Sequence, residues 1–369
     1  MRSLLRTLAV LALFPYAGVV VLLATGTVSW SSVAYVIAIG ALLGGLVTLP
    51  DPKRTPRGRP RGLSRGAVVA LALIAIARAV VAGEGRHLQM PARGGPSDGR
   101  AEAGPRMVAR LVDEGDMAVA GTRVLLAAGM LHDDHTELPS AMTSAYGAMR
   151  REQGDAPSPV IATYLGLQEP DAFDLVVIEP PVRSEGSSEG AVAVPSRSAL
   201  IFLHGFAGNF DLPCWQMARA VAPVGMVTAC PSTRWVGDWW SPAGEATLRR
   251  TVEILKARGV ERIVLAGLSN GGFGAAKLAR RMSGTFAGLV LISGADSTTP
   301  PAGIPTLVIH GRRDTMCSYE SARVYAANAG ARFVTLDAGH FAMLVKGEET
   351  DRAVREFVIA RLDGARAER

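Results

Sequence analysis

The chain has 369 residues, room for one large domain or two small ones, with 49% apolar residues and a formal net charge of +6. The charge is unevenly placed: of 39 basic and 33 acidic residues, positions 1–83 hold nine Lys/Arg and one acid, Asp51, which leaves 30 basic and 32 acidic residues for positions 84–369. The larger part therefore has no basic excess with which to neutralise phosphates, which excludes a nucleic-acid partner as the reason for the alkaline composition.

Positions 1–83 read as a membrane anchor. Leu8 to Thr25 is almost wholly apolar, and Val33 to Leu49 is a second uncharged run. Each approaches the roughly 20 residues that a helix needs to cross about 30 Å of hydrocarbon. Ala67 to Ala82 is a third run that contains Arg78, placed near one end where its side chain can snorkel to the interface. The Lys/Arg-rich stretch from Asp51 to Arg65, together with Arg2 and Arg6, predicts a cytoplasmic N-terminus, three transmembrane helices and a main domain on the outer side. An interfacial third helix is the alternative, and it leaves that domain in the cytoplasm.

Residues 84–105 are rich in Gly, Pro, Arg and Ser and read as a linker. Residues 106–170 read as a helical extension, with one helix over Leu138–Arg151. Within it, His132-Asp133-Asp134-His135 has metal-ligand residue types, but no third ligand group at a recognised spacing accompanies it, and it reads as a solvated loop. Asp174–Pro180 is a predicted strand, followed by an exposed loop over Arg183–Ser196.

From Ser198 onward short apolar runs alternate with helical periods. Strands are predicted over Ala199–Leu203, Met226–Ala229, Arg262–Ala266, Gly288–Ile292, Thr306–Ile309 and Arg332–Leu336. Helices are predicted over Leu212–Val221, Glu245–Arg258, Gly271–Met282, Ser318–Ala327 and Thr350–Leu362. This alternation predicts a mostly parallel sheet covered by helices on both faces. Cys214, Cys230 and Cys317 read as three small buried thiols. The alternative is a Cys214–Cys230 disulfide, because a cysteine opening one helix and another ending the next strand lie toward the same end of the sheet.

Gly267-Leu268-Ser269-Asn270-Gly271 has the form G-x-S-x-G directly after a predicted strand. On a sharp strand-to-helix turn such a serine presents its hydroxyl for attack on a carbonyl. Asp314 and then His340 follow, each after a predicted strand, so that all three lie at the carboxyl ends of strands, where open α/β sheets gather their ligands. His204-Gly205 lies at the end of an earlier strand.

In these four elements and their order, Asp174 to Leu362 resembles the α/β-hydrolase family. The resemblance implies an α/β-hydrolase domain over 171–369, with Ser269 as nucleophile, His340 as the base and Asp314 as the residue that orients it. It also implies an oxyanion hole from the backbone N–H groups of Phe206 and Asn270. Asp296 is a rival for the acid, His310 reads as a packed core residue, and His204 as a residue that shapes its turn. Trp235, Trp239 and Trp240 form either an apolar wall of the site or the packing of their own loop.

The expected partners are a small-molecule ester or acyl compound and the lipid bilayer, and the implied chemistry needs neither a metal nor an organic cofactor. The alternatives are a serine peptidase of prolyl-oligopeptidase-like type, without any sign of that group's propeller domain, and a non-catalytic binding module on a hydrolase scaffold.

Overall fold

A computed structural model of the protein describes residues 2–24, 29–47, 60–81, 87–89, 113–131, 137–154, 158–180 and 196–363. Three helices come first: α1 (Arg2–Ala24), α2 (Trp30–Val47) and α3 (Pro60–Val81). α1 packs on α2 and α2 on α3, and the Tyr16 hydroxyl donates to the Val36 carbonyl at 2.9 Å. Two windows, Leu4–Val21 and Trp30–Val47, are long and apolar enough to cross a membrane, whereas the apolar stretch in α3 is the shorter Gly66–Ala77. Large apolar side chains of α1 and α2, Phe14 and Ile37 among them, point outward unburied.

Next come the three-residue strand β1 (His87–Gln89) and the helices α4 (Glu114–Ala127), α5 (Glu137–Gln153) and α6 (Val160–Tyr164). β1 lies inside the stretch read as a linker. The His132–His135 cluster and most of the 183–196 loop lie outside the described residues.

The rest of the chain is β2 (Asp174–Ile178), β3 (Ser198–Leu203), α7 (Asp211–Val221), β4 (Val227–Pro231), α8 (Pro242–Ala257), β5 (Arg262–Leu268), α9 (Asn270–Arg281), β6 (Gly288–Ile292), β7 (Thr306–Gly311), α10 (Tyr319–Ala329), β8 (Arg332–Leu336), α11 (Ala342–Val345) and α12 (Gly347–Asp363). One eight-stranded sheet has the order β1-β2-β4-β3-β5-β6-β7-β8. β2 pairs antiparallel to both neighbours, and the pairs from β4 through β8 are parallel.

Alternation along each strand divides the apolar residues between two cores. Leu200 and Phe202 of β3 face the layer of α4, α5, α7 and α12. Ala199, Ile201 and Leu203 face α8, α9 and α10. Cys214 of α7 and Cys230 of β4 are joined in a disulfide, so the expectation of three thiols is corrected and Cys317 alone is free. The cause is tertiary: α7 lies back over β4 and brings the two α-carbons to 6.1 Å, within the span a disulfide bridges.

The helical extension is tied down by a buried carboxyl group. Glu114, in the first turn of α4, accepts hydrogen bonds from the backbone N–H groups of Asp211 and Leu212 at the start of α7 and from the Tyr146 hydroxyl of α5. Ser158 also donates to it. A carboxylate at a helix N-terminus satisfies N–H groups that have no intrahelical partner. Burial and the neighbouring Asp211 charge push the Glu114 pKa up to about 8.

Candidate active site

Ser269 occupies the turn between β5 and α9 with φ 54° and ψ −121°. That conformation is strained for a residue with a side chain, and strain of this kind costs about 1–3 kcal/mol. It survives because the glycines around it let other backbones close in. A Cβ on Gly271 would collide with the Leu203 carbonyl at the end of β3. A Cβ on Gly205 would lie 3.0 Å from the Leu268 carbonyl oxygen and 3.1 Å from the Ser269 Cβ. The turn after β3 is thereby pressed against the elbow, which carries the neighbouring Phe206 to the same cavity as Ser269. Asn270 is the first residue of α9, so its N–H is among the donors without an intrahelical acceptor. Its side chain donates to the Val236 carbonyl at 2.8 Å.

Asp314 and His340 are brought together from the loops after β7 and β8. His340 Nδ1 lies 2.9 Å from Asp314 Oδ2 and 3.1 Å from Oδ1. The Asp314 carboxylate is fully buried, and the backbone N–H groups of Met316 and Cys317 each donate to Oδ1 at 2.9 Å. Burial alone raises the pKa of a carboxyl, but the hydrogen bonds from His310 and His340 outweigh it and hold Asp314 well below its usual range. The group is a permanent anion against the imidazole. Ser269 and His340 line one cavity, and the Ser269 side chain sits against the Cys317 thiol.

The rival acid Asp296 is spent on local contacts, with Thr298 and Ser321. His310, read as a packed core residue, is fully buried, but it also touches the acid: its Nε2 lies 3.2 Å from Asp314 Oδ2 and 3.2 Å from the Cys317 carbonyl. Both neighbours are acceptors, so Nε2 carries the proton. Nothing in sequence spacing distinguishes that contact from plain burial, although His310 and Asp314 stand four residues apart.

His204 shapes its turn. Nδ1 faces its own neighbour, the Gly205 carbonyl, at 2.8 Å, and Nε2 accepts from the Thr233 N–H at 3.1 Å. Burial pulls its pKa down to about 4. Of the tryptophans, Trp239 is buried and donates to the His204 carbonyl at 2.9 Å, and Trp240 stacks under Lys277. Trp235 packs against Phe206 and Tyr164, with ring centroids at 5.0 and 6.1 Å.

Asp314, Cys317 and His340 place potential metal-ligand atoms within 4.8 Å of one another. The set fits a hydrogen-bonded site better than a metal centre. His340 Nδ1 and the Asp314 carboxylate are already bonded to each other, and burial and the Asp314 charge push the Cys317 thiol up to about 12.

The cavity beside Ser269 encloses about 250 Å³. One wall comes from the helical extension: Met117, Gly121 and Leu125 of α4, Met142 and Tyr146 of α5, and Tyr164 of α6. The segment between β6 and β7, only 13 residues, holds no inserted lid.

No family model matches the chain, and no curated protein resembles it in sequence. Among solved structures it is similar to Est1E from Butyrivibrio proteoclasticus, at 15% identity over 52% of this chain and 95% of that one, with a TM-score of 0.43. It is also similar to an α/β serine hydrolase homologue from Coxiella burnetii, at 17% identity over 49% and 90% with a TM-score of 0.38. A third is XC6422 from Xanthomonas campestris, a serine hydrolase without a lid, at 18% over 52% and 91% with a TM-score of 0.39. The fold is established by the molecule's own sheet order, with one reversed strand, and by the strained serine between its central strand and the following helix. By these features the chain has the α/β-hydrolase fold, preceded by two apolar helices long enough to cross a membrane.

Proposed function

We propose that the chain is a membrane-anchored serine hydrolase that cleaves carboxylic esters through an acyl-enzyme on Ser269. The observation that carries this reading is the buried Asp314–His340 pair opening onto the same cavity as the strained Ser269. With Nδ1 held by the carboxylate, His340 keeps Nε2 free to accept the serine proton. The Ser269 oxygen attacks the ester carbonyl, and the oxyanion that forms is bound by the N–H groups of Phe206 and Asn270, each such donor contributing about 3 kcal/mol to the transition state. The imidazolium returns its proton to the departing alcohol. Water, deprotonated by the same ring, then releases the acid.

The outer side of the membrane is the side we assign to the hydrolase domain. Ser29, just before α2, donates to Asp116 of α4 at 2.7 Å, and β1 begins six residues after α3 ends. Both points belong to the end of the helical anchor opposite the Lys/Arg-rich 51–65 stretch, which stays in the cytoplasm. The Cys214–Cys230 disulfide suits an oxidising compartment.

The test is labelling of the detergent-solubilised protein with a fluorophosphonate, wild type against Ser269→Ala. Labelling that depends on Ser269 is expected; its absence removes the enzyme reading and leaves a binding module. Parallel ester and peptide substrates separate esterase from peptidase.

A further inference from the structure

The cavity beside Ser269 differs from a general ester site in what its wall lacks. Among the described residues, no Asp, Glu, Lys or Arg lines it. Three of its polar side chains are already engaged: Thr122 donates to the Met142 sulfur at 3.2 Å and Tyr146 to Glu114 at 2.8 Å, while both His204 nitrogens face backbone partners; the Tyr164 hydroxyl belongs to the rim. A polar substituent would lose its water there without replacement, at a cost. An unbranched apolar chain loses nothing. At about 30 Å³ per water-sized group, 250 Å³ holds on the order of eight methylenes.

The position of the cavity adds a second argument. One wall is α4, and α4 packs on α1 and accepts the hydrogen bond of Ser29, the residue just before α2. One wall of the cavity is therefore the element that meets the anchor. Its rim carries Phe206, Tyr164 and Met316, which are 56, 49 and 44% exposed. Exposed apolar side chains at a cavity suit a surface that is covered in use, and aromatic residues settle at bilayer interfaces.

We propose that the substrate is a lipid ester resident in the same bilayer as the anchor, its acyl chain lodged between α4, α5 and Ser269 and its polar part left outside the cavity. This rests on the hydrolase reading above. The ester carbon is attacked by Ser269, the alcohol of the lipid leaves with the His340 proton, and water releases the free fatty acid.

The experiment uses the full chain. In detergent, kcat/KM for p-nitrophenyl esters should rise about fourfold per methylene from acetate until the cavity is full. Gly121→Phe should lower the ratio of octanoate to acetate at least tenfold. Among the described residues, a Cβ at Gly121 meets no atom within 4 Å beyond its own stretch of helix, and the substitution favours the helix. In phosphatidylcholine vesicles, a fluorogenic long-chain lipid ester should be cleaved at least tenfold faster when it shares vesicles with the protein than when the two are reconstituted separately. Ser269 labelling with acetate preferred overturns the lipid inference alone, as do equal rates in shared and separate vesicles. Failure of Ser269 to label overturns the hydrolase reading first and this proposal with it.

Discussion

His310 Nε2 stands 3.2 Å from Asp314 Oδ2, on the carboxylate that also holds His340. The acid is thus fixed from two sides, by a histidine that faces the cavity and by one that is fully buried behind it. Loss of a hydrogen bond to a charged group costs about 1.5–3 kcal/mol, or on the order of 10- to 100-fold in rate if it falls on the transition state. His310→Leu is expected to lower kcat in that range with little change in KM, measured by steady-state ester hydrolysis. Asp314→Asn should be worse, about 10⁴-fold, because the amide reverses the polarity that selects the His340 tautomer.

Gly271→Ala should abolish folding or Ser269 labelling, because its Cβ meets the Leu203 carbonyl of β3, which is backbone and cannot swing aside. Thermal unfolding and fluorophosphonate labelling of the same sample read the two effects apart.

The disulfide spans 16 positions and joins α7 to β4. Closing a loop of that length is worth about 3 kcal/mol. The paired variant Cys214→Ala/Cys230→Ala should lose about that much stability in denaturant titration, and reducing agent should lower the wild-type midpoint without affecting the variant.

Cys317 should be inert despite its place beside Ser269. With the thiol pushed up to about 12 by burial and the Asp314 charge, its thiolate fraction at neutral pH is about a thousandfold below that of a free cysteine. Iodoacetamide should alkylate it in denaturant and leave the folded protein unmodified over the same time.

Glu114 makes a pH-dependent clasp. Its folded pKa is raised from 4.5 to about 8 by burial and by Asp211. Between those values the folded state keeps a proton that the unfolded chain has released, so its contribution to stability falls as pH rises through the window and is constant above it. The Tm of wild type should therefore decline more steeply across that range than the Tm of Glu114→Gln, which has no proton to lose.

Much of the candidate site was legible along the chain. Ser269, Asp314 and His340 each follow an apolar run at a strand end, and local patterning marks such positions: strands are continuous apolar runs when both faces are covered. α7, α8, α9, α10 and α12 fall within a few residues of their periodicity, whereas the four-residue α11 carries none. β1 was not legible, because three residues, His87-Leu88-Gln89, carry no period, and only pairing with β2 makes them a strand. The contact of His310 with Asp314 was also hidden, since burial and hydrogen bonding look alike in sequence.

What the sequence by itself determined is the order of the candidate groups: an apolar, basic N-terminal segment, then a serine at a strand-to-helix turn, an aspartate and a histidine, each placed by local propensity and charge. What only the tertiary structure decided is what surrounds them. The disulfide, the second histidine on Asp314 and the cavity wall supplied by α4 and α5 all join residues far apart in the chain. Contacts of that kind arise from how helices settle on a sheet to bury their apolar faces. Such packing depends on shape across the whole domain, and no local pattern encodes it.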